Sequence, residues 1–259
     1  MTTIVQIVQH LKPGGIETMA LDLLSFGSKT ETCYIISLEG TFENSARLWP
    51  RLVPFKNKIF FLDKKPGFQP SLFKDLFKLF QSLDPIAIHT HHIGPLLYAG
   101  ISGRAFGIPS HVHTEHDAWY LDDKKQRKLQ KYALNIANPT LVADSQSVAH
   151  VLGNHVKNRS ITVIRNGINT EHFVPGNKKH SRFLMNLPID KKIIGCSGRM
   201  EIVKGQRFLL DAIRLLSDDI HLAIAGSGSQ EISLKQQAKS LKIEKRVHFL
   251  GHLDNMNSF

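Results

Sequence analysis

Residues 192–205 read Lys192-Ile193-Ile194-Gly195-Cys196-Ser197-Gly198-Arg199-Met200-Glu201-Ile202-Val203-Lys204-Gly205, and the pattern after them decides the fold. A short apolar run breaks at glycine, and a helical period follows from Gly205 to Leu216. A second apolar run, His221 to Ala225, then breaks at Gly226-Ser227-Gly228-Ser229. A helix over Glu231 to Leu241 and a strand over Val247 to Leu250 complete the stretch. Strand, glycine turn and helix in alternation predict parallel strands covered by helices.

The same rhythm fills the chain upstream. Strands are expected at Thr3–Gln9, Thr32–Leu38, Lys58–Leu62, Pro85–Thr90, Pro109–His113, Thr140–Ala143 and Ile161–Ile164. Between them, Ile16, Met19, Ala20, Leu23 and Leu24 make one helical face. Leu72, Phe73, Leu76, Phe77, Phe80 and Leu83 make another. Further helices are expected over Ile93–Phe106 and, strongly basic, from about Trp119 to Ile136. The expectation is α/β with two Rossmann-type domains: 1–173 complete, 174–190 a linker, and 191–259 a second, incomplete one. The 259 residues suit this, at about 1.7 domains of roughly 150 residues each.

Composition narrows the classes. A 42% hydrophobic content supports a core, and no apolar run approaches the roughly 18 residues of a spanning helix. The start, Met1-Thr2-Thr3-Ile4-Val5-Gln6, shows no basic leader or cleavage signal, so a cytoplasmic protein is expected. Cys33 and Cys196 read as reduced, buried thiols. Residues 1–175 carry 19 of the 33 basic and 14 of the 22 acidic side chains, so the +11 excess is spread. Two local concentrations stand out, Lys124–Lys131 and Arg51–Lys65, the latter interleaved with Phe55, Phe60 and Phe61. Both are either solvated faces or patches for an anionic membrane surface.

Three turns at strand ends carry chemistry, because helix N-termini there offer free N–H groups to anions. Gly14-Gly15 allows a phosphate or sugar close to the backbone. Arg199 and Lys204 can share one diphosphate as a guanidinium fork plus a point charge. Gly226-Ser227-Gly228 is half a dinucleotide fingerprint, with Glu231 at the third glycine position, which disfavours NAD. His89, His91, His92, His111, His113 and His116 gather on two strand ends. Without a nearby cysteine they read as packed histidines rather than a metal site. No nucleic-acid module is present.

Together these stretches resemble glycosyltransferase family 4, retaining enzymes of the GT-B architecture. The resemblance rests on Gly14-Gly15-Ile16-Glu17, Ile88-His89-Thr90-His91-His92, His113-Thr114-Glu115-His116-Asp117, Ala143-Asp144-Ser145 and Ile164-Arg165-Asn166-Gly167-Ile168-Asn169. It continues through Phe173-Val174-Pro175, Gly198 to Gly205, Ala225-Gly226-Ser227-Gly228 and Val247-His248-Phe249-Leu250-Gly251. It implies sugar transfer with retention from a nucleotide-sugar donor to a polysaccharide or glycolipid acceptor. Arg199 and Lys204 would neutralise the leaving diphosphate, with Gly14, Gly15, Gly226 and Gly228 lining the donor. His116 would contact the donor sugar and Glu17 the acceptor. No metal or other cofactor is expected, the cationic pair standing in for a magnesium ion. The family's two glutamates, separated by seven residues late in the C-terminal domain, have only a coincidental match at Glu31 and Glu39. The chain is therefore expected to be truncated and, by itself, inactive or nearly so. The alternative is a non-catalytic remnant that binds membrane lipid or a partner protein.

Overall fold

A computed structural model describes residues 2–28, 30–156, 158–253 and 255–259. The chain divides into two compact units, 1–167 and 168–259. Residues 168–173 thus group with the second.

The first unit is built on seven strands: β1 (Thr2–Val8), β2 (Glu31–Ser37), β3 (Ile59–Phe61), β4 (Ala87–His91), β5 (Ser110–Glu115), β6 (Thr140–Ala143) and β7 (Ile161–Val163). All neighbours are parallel, in the order β3-β2-β1-β4-β5-β6-β7. Alternation along β1 sends Val5 and Ile7 to one face, where they pack with Leu72, Leu76, Phe80, Ile88 and Tyr98. Val8 packs on the other face with Leu11, Ala20, Leu21 and Leu24. Leu72, Leu76 and Phe80 recur every four residues on the helix Ser71–Leu83 and are fully buried, and Asp84 in the left-handed region (φ 44°) ends that helix. The chain leaves β1 toward β2 and β3, then returns beside β1 as β4. That reversal opens a crevice at the carboxyl ends of β1 and β4, the usual place for a ligand in such sheets.

The second unit has β8 (Lys192–Ser197), β9 (Ile220–Ala225) and β10 (Val247–Gly251), parallel in the order β10-β9-β8. Leu210 and Ile213, from the helix Gln206–Arg214, pack with Leu222, Ile224, Leu234 and Val247.

Several local features differ from the sequence reading, each for a physical reason. The basic helix begins at Lys124 rather than near Trp119, because the Asp123 carboxylate caps it by accepting from the N–H groups of Lys125 and Gln126. A short 3₁₀ turn holds Trp119–Asp122. The helix expected over 93–106 is continuous but widens to a π turn at Leu96–Gly100. Segment 174–190 contains a helix, Lys178–Leu184. The buried Arg182 donates from Nη1 to the carbonyls of Pro188, Ile189 and Lys191. Cys33 is buried and burial pushes its thiol up to about 11, whereas Cys196 is only half-buried. In the Arg51–Lys65 stretch the ring of Phe55 packs against the buried cluster around Leu52. Arg51 there pairs with Asp22, Lys64 with Glu39, and Lys65 with Asp63. That cluster is largely satisfied internally.

Candidate functional site

In the first unit the crevice begins where β1 gives way to Gln9 and His10. Gly14 is extended (φ −169°) and caps the helix Gly15–Ser25. A Cβ there would meet the end of the Glu17 side chain, which folds back over it, while the nearest backbone atom, Lys12 O, stays 3.7 Å away. Glu17 is buried in the first helical turn and its Oε1 lies 3.2 Å from His10 Nδ1. A Cβ at Gly15 would meet nothing within 4 Å, so the open side of the loop is at Gly15.

Across the crevice, β4 ends in His91, and His92 follows it. His92 has φ 69° and ψ 164°, a conformation that glycine adopts freely and other residues rarely do. Strain of this kind persists only where the surroundings impose it. His91 is fully buried; its Nε2 is 3.0 Å from Gln6 Oε1 and its Nδ1 is 3.0 Å from His116 Nε2. His116 follows β5, and its Nδ1 lies 3.5 Å from Asp144 Oδ2, just beyond β6. His89 Nε2 is 2.7 Å from Thr114 Oγ1. Burial, reinforced by the surrounding imidazoles, drives the pKa of His89 down to about 3 and that of His91 well below its ordinary value. Burial also lowers His116, against the opposing charge of Asp144.

The other face of the same strands carries a second polar network. Thr90 Oγ1 lies 2.9 Å from both His111 Nε2 and His113 Nδ1, and His113 Nε2 lies 3.0 Å from Glu115 Oε1. Tyr120 Oη donates to the same oxygen at 2.7 Å, and Gln130 Nε2 donates to it as well. Burial alone would raise the Glu115 pKa, but the hydrogen bonds from His113, Tyr120 and Gln130 and the charge of His113 outweigh it and hold it low. A carboxyl depressed by folding adds stability above its unfolded pKa, about 4.3, and loses it as pH falls through the folded value. Glu115→Gln is therefore expected to cost about 1–3 kcal/mol at pH 7 and less at about pH 3, below the unfolded pKa. Urea unfolding followed by tryptophan fluorescence at the two pH values checks this; an equal cost at both would sink it.

In the second unit three turns meet at the carboxyl edge of the sheet. Gly198 N donates to Ala225 O at 2.9 Å, Met200 N to Ser227 O at 2.9 Å, and Gly226 N to Gly251 O at 2.6 Å. Glu201 ties the first turn to the second: its carboxylate accepts from Ser229 N at 3.2 Å and Ser229 Oγ at 2.7 Å, which lowers its pKa. Gly226 (φ 133°) and Gly228 are required by this packing. A Cβ on Gly226 would overlap the Gly198 carbonyl, and one on Gly228 would lie 2.8 Å from Met200 C. Arg199 and Lys204 stand exposed on the first turn, on either side of Glu201, and among the described residues neither makes an ion pair within 4.0 Å. Gly205 (φ 69°) then starts the helix Gln206–Arg214.

The profile of Glycosyltransferase Family 4 matches residues 13–172. The chain belongs to that family. A second profile, Glycosyl transferases group 1, matches residues 177–259. Among curated relatives, the D-inositol 3-phosphate glycosyltransferase of Mycolicibacterium smegmatis is 31% identical over 127 residues, 47% of this chain and 29% of that protein. The same enzyme of Corynebacterium urealyticum is 26% identical over 164 residues, 54% of this chain and 39% of that protein. The chain thus matches well under half the length of these relatives. The crystal structure of Anabaena HepE in complex with UDP and glucose is similar in fold, with a TM-score of 0.80 at 19% identity, covering all of this chain and 71% of that one. The architecture is α/β and GT-B-like.

Against the sequence reading, Gly14, Gly15, Glu17 and His116 all lie at the carboxyl edge of the first sheet; Arg199, Lys204, Gly226 and Gly228 lie at that of the second. Four further residues had no role assigned from sequence. Gln6 and His91 are joined across 85 positions of chain, Asp144 faces His116, and Glu201 joins two turns. Asp144 carried a signal, since Ala143-Asp144-Ser145 is one of the family's stretches; Gln6 carried none. The histidine nitrogens are largely engaged with Gln6, Thr90, Thr114 and one another. Among the described residues no group of three or more His, Cys, Asp or Glu is placed to hold a metal.

Proposed function

We propose that this family 4 chain serves a retaining transfer of a sugar from a nucleotide-sugar donor to a polysaccharide or glycolipid acceptor. The first unit is the acceptor side and the second the donor side. The observation that carries the reading is the pair Arg199 and Lys204, exposed and outside any close ion pair on a glycine-built turn at a strand end. Two such cations suit the diphosphate of a donor as it leaves. By family pattern we assign Gly14, Gly15, Gly226 and Gly228 to the donor, His116 to its sugar, and Glu17 to the acceptor. The UDP-glucose complex of Anabaena HepE supports the donor class. Calorimetric titration of the 259-residue chain with UDP- and GDP-sugars tests it: heat with one of them is expected, and none with either overturns the reading.

The polypeptide by itself is proposed to turn over donor slowly or not at all. Phe183, Leu184, Ile202, Val203 and Phe208 are all more than half exposed in the second unit, apolar surface of the kind that marks an interaction site, and turnover, unlike donor binding, is proposed to need that surface covered. A transfer assay giving turnover near that of a longer relative counts against this.

A second reading, contact with an anionic membrane at the cytoplasmic face, is favoured by one element. On the helix Lys124–Ala137, Lys124, Arg127, Lys128 and Lys131 share a face and line a cleft of about 380 Å³ with Asn154 and His155. Beside that face runs an exposed apolar stripe of Leu129, Tyr132 and Ile136, while Ala133, Leu134 and Ala137 are buried on the opposite side. Cations flanking apolar side chains suit a lipid headgroup layer. Among the described residues no helix is long and apolar enough to cross a membrane. Lys124→Glu/Lys128→Glu should weaken sedimentation with phosphatidylglycerol vesicles at least about tenfold, at roughly 1 kcal/mol per charge, and added salt should do the same. Binding to neutral vesicles of equal strength would refute the contact.

A further inference from the structure

The geometry around His116 assigns a task to two residues on neighbouring strands, Gln6, which no sequence signal marks, and His91, which the sequence shows only as one of a histidine cluster. Gln6 lies on β1 and is buried, and its Oε1 can only accept. The His91 ring, 3.0 Å away through Nε2, therefore carries its proton on that nitrogen. His91 is fully buried and flanked by the imidazoles of His89 and His116, with ring centroids 4.0 Å and 5.3 Å away. A second proton on it would stand uncompensated in the interior, and its pKa lies well below the ordinary histidine value. Neutral His91 thus has a bare Nδ1, 3.0 Å from His116 Nε2, and that contact is a hydrogen bond only if His116 Nε2 is the donor.

We propose that Gln6 and His91 are positioning residues that fix the rotamer and tautomer of His116, leaving Nδ1, opposite Asp144, as the nitrogen at which that ring gains or loses a proton. The proposal rests on the placement of His116 at the donor sugar, and it adds how the ring is held before any ligand arrives. The titratable groups that act on His116 are His89 and His91 from β4, His92 just beyond it, Glu115 on its own segment, and Asp144 beyond β6. The 3.5 Å separation of Nδ1 from Asp144 Oδ2 is long while both atoms are acceptors. It becomes an ion pair when Nδ1 is protonated. A proton taken up by His116 is therefore shared with Asp144 and not with the relay through His91. A chain of this kind constrains orientation as a packed apolar side chain cannot, because each link specifies which nitrogen carries hydrogen.

The test is nitrogen NMR of the full 259-residue chain labelled at the histidine rings. At pH 8 the His116 ring is expected to show a protonated-type Nε2 and an unprotonated-type Nδ1. On acidification only the Nδ1 signal should move toward the protonated type. The reverse pattern, or an averaged pair of signals, overturns the proposal in the unmodified chain, so the test does not depend on a variant that folds. His91→Leu, which removes the acceptor, should lose the one-sided pattern. His91→Asn, which keeps an oxygen near the former Nδ1, should restore it; a one-sided pattern retained in His91→Leu also overturns the proposal. Failure of the donor-site reading shows separately, as His116 signals that do not respond to the sugar nucleotide while the tautomer pattern stays intact.

Discussion

Gly226→Ala should unfold the second unit while leaving the first folded. The added Cβ has no rotamer to escape into. It would overlap the carbonyl of Gly198 and lie 2.9 Å from Gly198 C, both backbone atoms of the neighbouring turn. The φ of 133° adds strain that any L side chain would carry. Strain at such a φ costs about 1–3 kcal/mol and overpacking against backbone a similar amount, so about 2–6 kcal/mol is expected. For a unit with three strands and one core cluster this is a large part of the available stability. The readout separates the units without further engineering. Both tryptophans, Trp49 and Trp119, lie in the first unit, so fluorescence reports it alone while far-ultraviolet circular dichroism reports both. The expected result is an unchanged fluorescence transition in urea with a lost or shifted dichroism component. Gly228→Ala should behave alike, and Gly176→Ala, where a Cβ meets nothing within 4 Å, should be neutral. A Gly226→Ala chain with the unaltered dichroism profile would show that the two turns are not packed as described.

That result also bears on what the sequence could reveal. The alternation of apolar runs and helical periods located every strand of both sheets, because burial on two faces leaves continuous apolar runs that are legible locally. It could not supply the order β3-β2-β1-β4-β5-β6-β7, since no residue of β4 states that β1 is its neighbour. The short helices Phe42–Leu48, Gln146–His155 and Lys178–Leu184 were missed. The first and last are only seven residues long, too short for a helical period to stand out from polar surroundings. The helix Gln146–His155 has a single fully buried side chain, Leu152, and its start is set by the Ser145 hydroxyl accepting from Val148 N. In the site the legible part was the glycines and cations at strand ends. Their reasons were not legible. Gly226 makes room for a backbone turn, so it is glycine before any ligand is considered, whereas at Gly14 a Cβ would meet only the movable end of the Glu17 side chain. The histidines were visible as a cluster, but pairing His91 with Gln6, and Thr90 with His111 and His113, requires the register of three strands.

Arg199→Ala/Lys204→Ala should weaken donor binding by about two to four orders of magnitude without loss of fold. A charge-assisted hydrogen bond contributes about 1.5–3 kcal/mol, so removing two costs about 3–6 kcal/mol, and every 1.4 kcal/mol is tenfold in Kd. Both side chains are exposed and make no close ion pair among the described residues, so their truncation should change stability by no more than about 0.5 kcal/mol. One charge opposes the site: Glu201 lies between them in sequence and is held ionised by Ser229. The two cations therefore outnumber the local anion by one, which suits a diphosphate that carries more negative charge as it leaves than as part of the donor. Arg199→Lys should recover less affinity than Lys204→Arg, because the fork geometry of a guanidinium is lost in the first and gained in the second. Titration with UDP and with UDP-glucose at two salt concentrations reads all three variants. If the double variant binds within twofold of the unmodified chain, the diphosphate does not sit on this turn, and the donor must be held by other residues.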